Sequence, residues 1–239
     1  CNNYLIPLRG VFLLAGRELK GLVNPLEGIE NMPHQQTAPD PLTLAEMEII
    51  LADLYDHHDP QVGRYFEFAF LSGLRPEELI ALRWDDADWK NATIRVERAK
   101  TFRGQIKPIK TYMARDVDLV ERAHRVLQAQ KAATFLKYEW IWENPVTGKA
   151  WHDDRSQRDH YWQPCLKRLG IRMRRPYQTR HTYATLNLMA GVNPAYIARQ
   201  MGHKTAKMLF DVYAKWIDAA DRGRERAKVE AVLSSIAPH

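Results

Sequence analysis

A mainly α protein carrying a small antiparallel β-sheet is what the sequence predicts, and three observations predict it. After a Pro-rich break, apolar residues recur at helical spacing over roughly 43–83. The period then switches to two over 92–119. Helical spacing returns and persists to the end, punctuated at Gly170, Gly191, Gly202 and Gly223. The 239 residues suffice for one large domain, or a domain plus a fragment. No apolar run reaches the roughly 18 residues that suggest a membrane span.

In order along the chain, residues 4–32 read as helix, with Leu5, Leu8, Phe12 and Leu13 at helical spacing, closed by the Pro- and Gly-bearing "NPLEGIENMP". That apolar face has too few partners for a core of its own. Residues 1–36 are therefore expected to be the end of an N-terminal helical domain, 37–42 a linker and 43–239 a second domain. The chain begins at Cys1 rather than Met and is expected to be a piece of a longer protein. "CNNYLIPLRG" has no basic region followed by an apolar core, so it does not read as a signal peptide. Thr43 and Glu46 form a T-x-x-E capping box ahead of Met47, Ile50, Leu51 and Leu54. "VGRYFEFAFLSG" is a second helix stopped by Gly73, and Pro76 suits the first position of a third, "PEELIALR". "ATIRVERA" alternates as a half-buried strand. "QIKPIK" and "ARDVDL" read as two more strands joined by a turn around Thr111 and Tyr112. "VERAHRVLQAQKAA" returns to helix, "ENPVTGKAW" is a strand-like piece with a turn, and the last helix, about 219–236, lines up Val229, Val232, Leu233 and Ile236.

The net charge is +6 and the pI about 9.3, a weak pointer to nucleic acid on its own. The distribution adds more. From Trp151 onward Lys and Arg outnumber Asp and Glu two to one, and "RMRRP", with Arg172, Arg174 and Arg175, is the densest basic run. That run could equally be a solvated turn. Cys1 and Cys165 cannot build a disulfide framework, which fits a reducing, cytosolic compartment. There is no P-loop, G-x-G-x-x-G, H-E-x-x-H or G-x-S-x-G signature, and the His spacing suggests no zinc site.

What remains is a set of cations and one tyrosine. Arg75 in "SGLRPEEL" stands at a helix N-terminus, where an Arg beside free N–H groups suits an anion; capping Glu77 and Glu78 is the other reading. Arg180 in "YQTRHTYAT" sits in the first turn of an apolar helix in basic surroundings. Lys110 in "IKPIKTYMARDVDL" lies near a hairpin tip, where a Lys is usually a solvated edge charge. Tyr213 in "GHKTAKMLFDVYAKW" is either a packed aromatic or a nucleophile. Two guanidinium forks match a phosphodiester, a Tyr hydroxyl could attack phosphorus, and a Lys could protonate the leaving oxygen.

With those stretches in order, the chain resembles the tyrosine recombinases of the phage-integrase family over roughly residues 41–239. "SGLRPEELIALRW" is similar to the first Arg box and implies Arg75 as a phosphate clamp with Glu78 in support. "KTYMARDVDL" resembles the β-hairpin that carries the general acid and implies Lys110, with Lys100 in "RAKTFRGQ" as the alternative. "YQTRHTYATLNLMAG" resembles the second Arg box and implies Arg180. "IARQMGHKTAKMLFDVYAKW" resembles the last box and implies His203 as a hydrogen-bond donor and Tyr213 as nucleophile. One position departs: three residues before Arg180 the family usually has His, and here Tyr177 stands. A phenol can contact phosphate but cannot accept a proton near neutral pH. His181 reads as a structural residue of its helix.

The resemblance implies a tyrosine recombinase catalytic-domain fold and a site-specific recombinase of bacterial cytoplasm and nucleoid, needing no cofactor and no metal. Double-stranded DNA is the expected partner, contacted also by Arg172, Arg174, Arg175, Lys204 and Lys207. The chain would be monomeric in solution and a homotetramer on synapsed DNA, with a C-terminal helix docking in trans and accessory DNA-bending proteins assisting. A type IB topoisomerase-like enzyme and a catalytically impaired DNA-binding relative are the alternatives.

Overall fold

The first apolar stripe forms a helix, α1 (Asn2–Glu18). In the computed structural model, which describes residues 2–32, 38–101, 103–109, 114–137, 139–203, 205–221 and 223–235, Leu8 and Leu13 of that stripe are exposed, as are Tyr4, Ile6, Val11 and Leu14. Arg9 Nη1 donates to Asn31 Oδ1 at 2.8 Å and ties the following turns to the helix. This helix belongs to one compact unit, Cys1–Ala38; the other is Pro39–His239. Residues 39–42, read as linker, are fastened to the second unit. Asp40 N–H donates to Gln178 Oε1 and Leu42 N–H to Thr182 Oγ1, and Leu42 is buried.

In the second unit α2 (Leu44–His57) starts where the capping box places it. Thr43 Oγ1 accepts from Glu46 N–H at 3.1 Å, and Glu46 returns the bond to Thr43 N–H at 2.8 Å. Next comes α3 (Pro60–Ser72), with Asp59 as its N-cap and Gly73 closing it in the left-handed conformation. Val62, Tyr65, Phe66, Phe68, Ala69 and Phe70 are all buried, on more than one face. A helix apolar most of the way round belongs in the interior, and α3 packs against α2 and against two helices further on. Truncating Phe66 to Ala would cost roughly 3–5 kcal/mol. After α4 (Pro76–Leu79), shorter than the expected helix, the chain enters the sheets.

The strands are β1 (Ala87–Asp88), β2 (Thr93–Val96), β3 (Arg98–Lys100), β4 (Ile106–Pro108) and β5 (Arg115–Asp118). The expected hairpin between "QIKPIK" and "ARDVDL" is not what forms. Strand β4 folds back on β3, and β5 pairs with β2 in a separate three-stranded sheet ordered β1-β2-β5. Two physical reasons decide this. Gly104, at φ 73°, closes a tight turn in which Gly104 N–H bonds Thr101 O and Thr101 N–H bonds Gln105 O. And only the β2–β5 register sets Val117 opposite Ile94, burying both.

Beyond the sheets, α5 (Glu121–Thr134) packs on α3. The N-P-V-T-G turn joins β6 (Glu143–Asn144) to β7 (Lys149–Ala150). Then α6 (Arg155–Gln157) runs through a π-helical turn (Arg158–Trp162) into α7 (Gln163–Arg168). Arg168 ties α7 to buried Asp53 of α2, and Trp162 stacks on Phe66. The last helices are α8 (Gln178–Met189), which also packs on α3, α9 (Pro194–Met201), α10 (Ala206–Asp221) and α11 (Arg224–Ser235). The final helix expected from about 219 starts at 224 instead, because Gly223 at φ 87° breaks it from α10. Of its expected stripe, Val229 and Leu233 are exposed; the Val232 side chain and Ile236 lie outside the described residues. Tyr183, Leu188, Ile197, Met201, Leu209 and Tyr213 form a smaller core among α8, α9 and α10. Among the described residues, no helix is long and apolar enough to cross a membrane.

Candidate active site

Two glycines bring the candidate residues together. At Gly73, φ is 61° and a Cβ would stand 2.4 Å from the Tyr183 ring. Only glycine lets the chain turn there, and the turn delivers Arg75 to the start of α4. Arg75 N–H and Nη1 both bond the Glu78 carboxylate, at 3.1 and 2.7 Å. At Gly202, φ is 68° and a Cβ would lie 2.7 Å from Arg115 Nη1. That turn ends α9 and delivers His203.

Arg180 projects from α8 into the space between these turns. Its side chain is 1 % exposed. Nη1 donates to Gly73 O and Nη2 to Met201 O, each at 2.6 Å. These two bonds leave further N–H groups of the guanidinium for another acceptor. No carboxylate bonds it among the described residues. Burial, then Arg75, push its pKa down to about 10.

The next residue on α8, His181, meets the nucleophile candidate. His181 Nδ1 and Tyr213 Oη are 2.5 Å apart. Tyr213 is 1 % exposed, and burial raises its pKa while Arg180 opposes the rise. Tyr177, more than a third exposed, sets its ring edge-on to His181 with centroids 5.3 Å apart. His181 is pushed down to about 4 by burial and by Arg180. His203 is also pushed down to about 4, by burial and then by Arg180, Arg75, Arg115 and His181. His203 Nδ1 is buried and has no hydrogen-bond partner among the described residues. Both imidazoles are therefore neutral near pH 7.

Arg115, at the start of β5, was not singled out in the sequence. Nη2 donates to Glu78 Oε2 at 2.8 Å and Nε to Gln200 O at 2.8 Å, which links β5, α4 and α9. Burial opposes ionisation of Glu78, but Arg115, Arg75 and Arg180 outweigh it and hold the carboxyl at about 2. Three guanidinium groups thus act on one buried carboxylate. Such a surplus of fixed positive charge suits an anion with several oxygens.

The Phage integrase family profile matches residues 42–219. The chain belongs to this family. It is 34% identical over 99% of its length to IntQ of Escherichia coli (strain K12), whose name carries the word "defective", and 32% identical over 91% to prophage integrase IntR of the same strain. It spans 65% of the first and 57% of the second. Among solved structures, the Tn1549 transposon integrase in complex with a circular intermediate DNA aligns with a TM-score of 0.72 at 19% identity, covering 89% of this chain and 74% of that one. The fold is that of the tyrosine recombinase catalytic domain.

Of the other residues expected of this integrase-family chain, Lys100, Arg172, Arg174, Arg175 and Lys207 are among the described residues. Arg75, Glu77 and Glu78 share a cleft of about 390 Å³ with Lys100, Lys107, Ile109 and Asp154. Lys100 Nζ donates to Trp151 O and lies 5.0 Å from the Trp140 ring centroid; burial lowers its pKa. Lys110 and Lys204 lie outside the described residues. Arg172 and Arg175 are exposed, with Arg172 paired to Asp40. Arg174 departs from its expected place on a DNA-facing patch. Only 9 % of its side chain is exposed, and it holds Asp40 and Glu46, joining the segment before α8 to the start of α2. Lys207 is exposed and pairs with Asp211 one turn along α10.

Proposed function

We propose that this chain is the catalytic part of a site-specific DNA recombinase that breaks and rejoins strands through a 3′-phosphotyrosyl bond at Tyr213. One observation carries the reading: Arg75, Arg180 and Arg115 surround the same carboxylate, and the Tyr213–His181 pair adjoins Arg180 on α8. In this reading a scissile phosphate takes its non-bridging oxygens to Arg75 and Arg180. His203 Nε2 or Nδ1, according to tautomer, donates a further bond. Glu78 and Arg115 act on the clamp by holding Arg75 and the turn at Gly202 in place. Tyr213 attacks phosphorus, the 5′-oxygen leaves with a proton from a lysine, and the partner duplex's 5′-hydroxyl later reverses the step through a Holliday junction. The phosphotyrosyl bond conserves the energy of the broken one, so no ATP is needed. Because Arg180 and Tyr213 are both 1 % exposed, DNA has to open this packing before it can react.

The lysine acid is Lys110 by its place in the sequence, with Lys100, on the wall of the Arg75 cleft, as the alternative. Duplex DNA is the partner, held by Arg172, Arg175, Lys204 and Lys207. The protein works in bacterial cytoplasm as four protomers on two sites, with the exposed Val229 and Leu233 of α11 docking on a neighbour. Accessory DNA-bending proteins complete the assembly.

A nicked duplex carrying the element's own attachment site, taken from DNA flanking the gene, tests this. The wild-type chain is expected to form a covalent adduct that Tyr213→Phe abolishes while DNA binding persists. Binding without any adduct would replace the recombinase by a DNA-binding relative. Relaxation of supercoils without a partner site would replace it by a topoisomerase.

A further inference from the structure

We propose that His181 is a catalytic residue: its Nδ1 takes the proton from the Tyr213 hydroxyl as that oxygen attacks phosphorus, and returns it on rejoining. This rests on the recombinase reading above and names the proton acceptor within it. The motif-bearing position for such a group is filled by Tyr177, whose phenol cannot accept a proton near neutral pH. The geometry points to the neighbouring helix turn instead.

At 2.5 Å from Tyr213 Oη, His181 Nδ1 is within reach of the proton that has to leave. The imidazole is held in place from two sides. Tyr177, four residues earlier, packs edge-on against it, and the Tyr213 ring lies with its centroid 5.7 Å away, tilted by 52°. The titratable and charged groups around it are Arg180 from α8 itself, Tyr177 from the turn before α8, Tyr213 from α10 and His203 from the turn after α9. Among the described residues none of these is a carboxylate that would hold the ring as imidazolium in the resting chain. Burial and Arg180 keep it neutral and able to accept. A phosphodiester seated on Arg180 brings a negative charge that offsets the repulsion between Arg180 and an imidazolium, so the ring gains basicity when substrate is present.

The step balances. The Tyr213 O–H bond breaks and the proton moves to His181 Nδ1. The phenolate electron pair forms the O–P bond, the P–O5′ bond breaks, and the 5′-oxygen takes a proton from the lysine acid. On rejoining, the attacking 5′-hydroxyl gives its proton back to that lysine, and the Tyr213 oxygen leaves with the proton from His181.

The test compares single-turnover cleavage by the full chain, as wild type, His181→Ala and His181→Asn. Two nicked duplexes are used, one ordinary and one with sulfur in place of the 5′-bridging oxygen, a leaving group that needs no acid. Asn keeps an acceptor near the place of Nδ1 but cannot carry the proton. Both variants are expected to bind DNA as the wild type does and to cleave at least 100-fold more slowly at pH 7 on both duplexes. Their rates should climb about tenfold per pH unit as hydroxide takes over the proton. His181→Asn within threefold of wild type would overturn the proposal, because the ring would then only position Tyr213. So would rescue of the variants by the sulfur duplex, which would make His181 the acid. If both variants fail to melt cooperatively, the wild-type profile on the sulfur duplex decides. A rate that falls toward tenfold per unit once pH drops below the imidazole's value, about 4 in the resting chain and higher with the phosphodiester seated, supports the proposal, and a rate flat from pH 3.5 to 8 overturns it. A wild-type chain giving no adduct on either duplex overturns the recombinase reading along with it.

Discussion

Arg180 is a buried cation whose hydrogen-bond partners are two backbone carbonyls. A buried charge is tolerated only where its surroundings compensate it, and here Glu78 compensates at longer range. The geometry that makes the residue costly also aims it. Lysine in its place would supply one point charge and could not hold Gly73 O, Met201 O and a phosphate together. Arg180→Lys should lower single-turnover cleavage by 100- to 1,000-fold, about 3–4 kcal/mol of barrier, with DNA affinity within a few-fold of wild type. Retained cleavage would remove Arg180 from the clamp. At this scale the motif residues Arg75, Arg180, His203 and Tyr213 were legible, because each sits in a stretch whose turn residues fix its place. Arg115 is legible by a different signal: it shares a strand face with buried Val117, and a charge on an inward face has to have a partner. His181 reads as structural because sequence alone does not say that α10 brings Tyr213 against it.

At the scale of elements, two left-handed glycines set the clamp, and they should fail differently. Gly73→Ala meets both the strained backbone and the packed Tyr183 ring, so it should cost roughly 2–4 kcal/mol of stability. Gly202→Ala meets the flexible end of Arg115, which can move away. It should cost roughly 1–2 kcal/mol from backbone strain, yet lower cleavage more than Gly73→Ala per unit of stability lost, because Arg115 leaves Glu78. Urea melts and single-turnover rates on the two variants check this; equal ratios of rate loss to stability loss would contradict it. Strand pairing was the least legible element. "QIKPIK" and "ARDVDL" both alternate, and only the competition between the Gly104 turn and the Ile94–Val117 pairing selects their partners. The lysine acid is tested at this scale too. Lys110→Ala should be rescued by the 5′-bridging sulfur duplex and Lys100→Ala should not; the reverse pattern would move the role to the strand residue.

Over the whole molecule, the half-buried neutral imidazoles of His181 and His203 couple folding to pH. Their folded values, about 4, lie below the ordinary 6.5. Above pH 6.5 both states hold them neutral. As pH falls from 6.5 toward 4, the unfolded chain takes up protons that the folded chain refuses, so stability drops, by on the order of 2–3 kcal/mol for each His. A second loss follows from 4.5 toward 2 as Glu78 is protonated in the unfolded chain first. Thermal melts from pH 8 to 4 should show the first decline, and His181→Ala should flatten part of it. A melting temperature constant over that range would contradict the desolvation that keeps these imidazoles neutral. The most direct measurement is a structure of the chain on nicked cognate duplex with orthovanadate bridging the two strand ends. We expect Arg75 and Arg180 both at about 3 Å from equatorial vanadate oxygens, with Tyr213 Oη at one apex. Vanadate held by only one of the two arginines, or with another residue at the apex, would contradict the convergence on which the proposed chemistry depends.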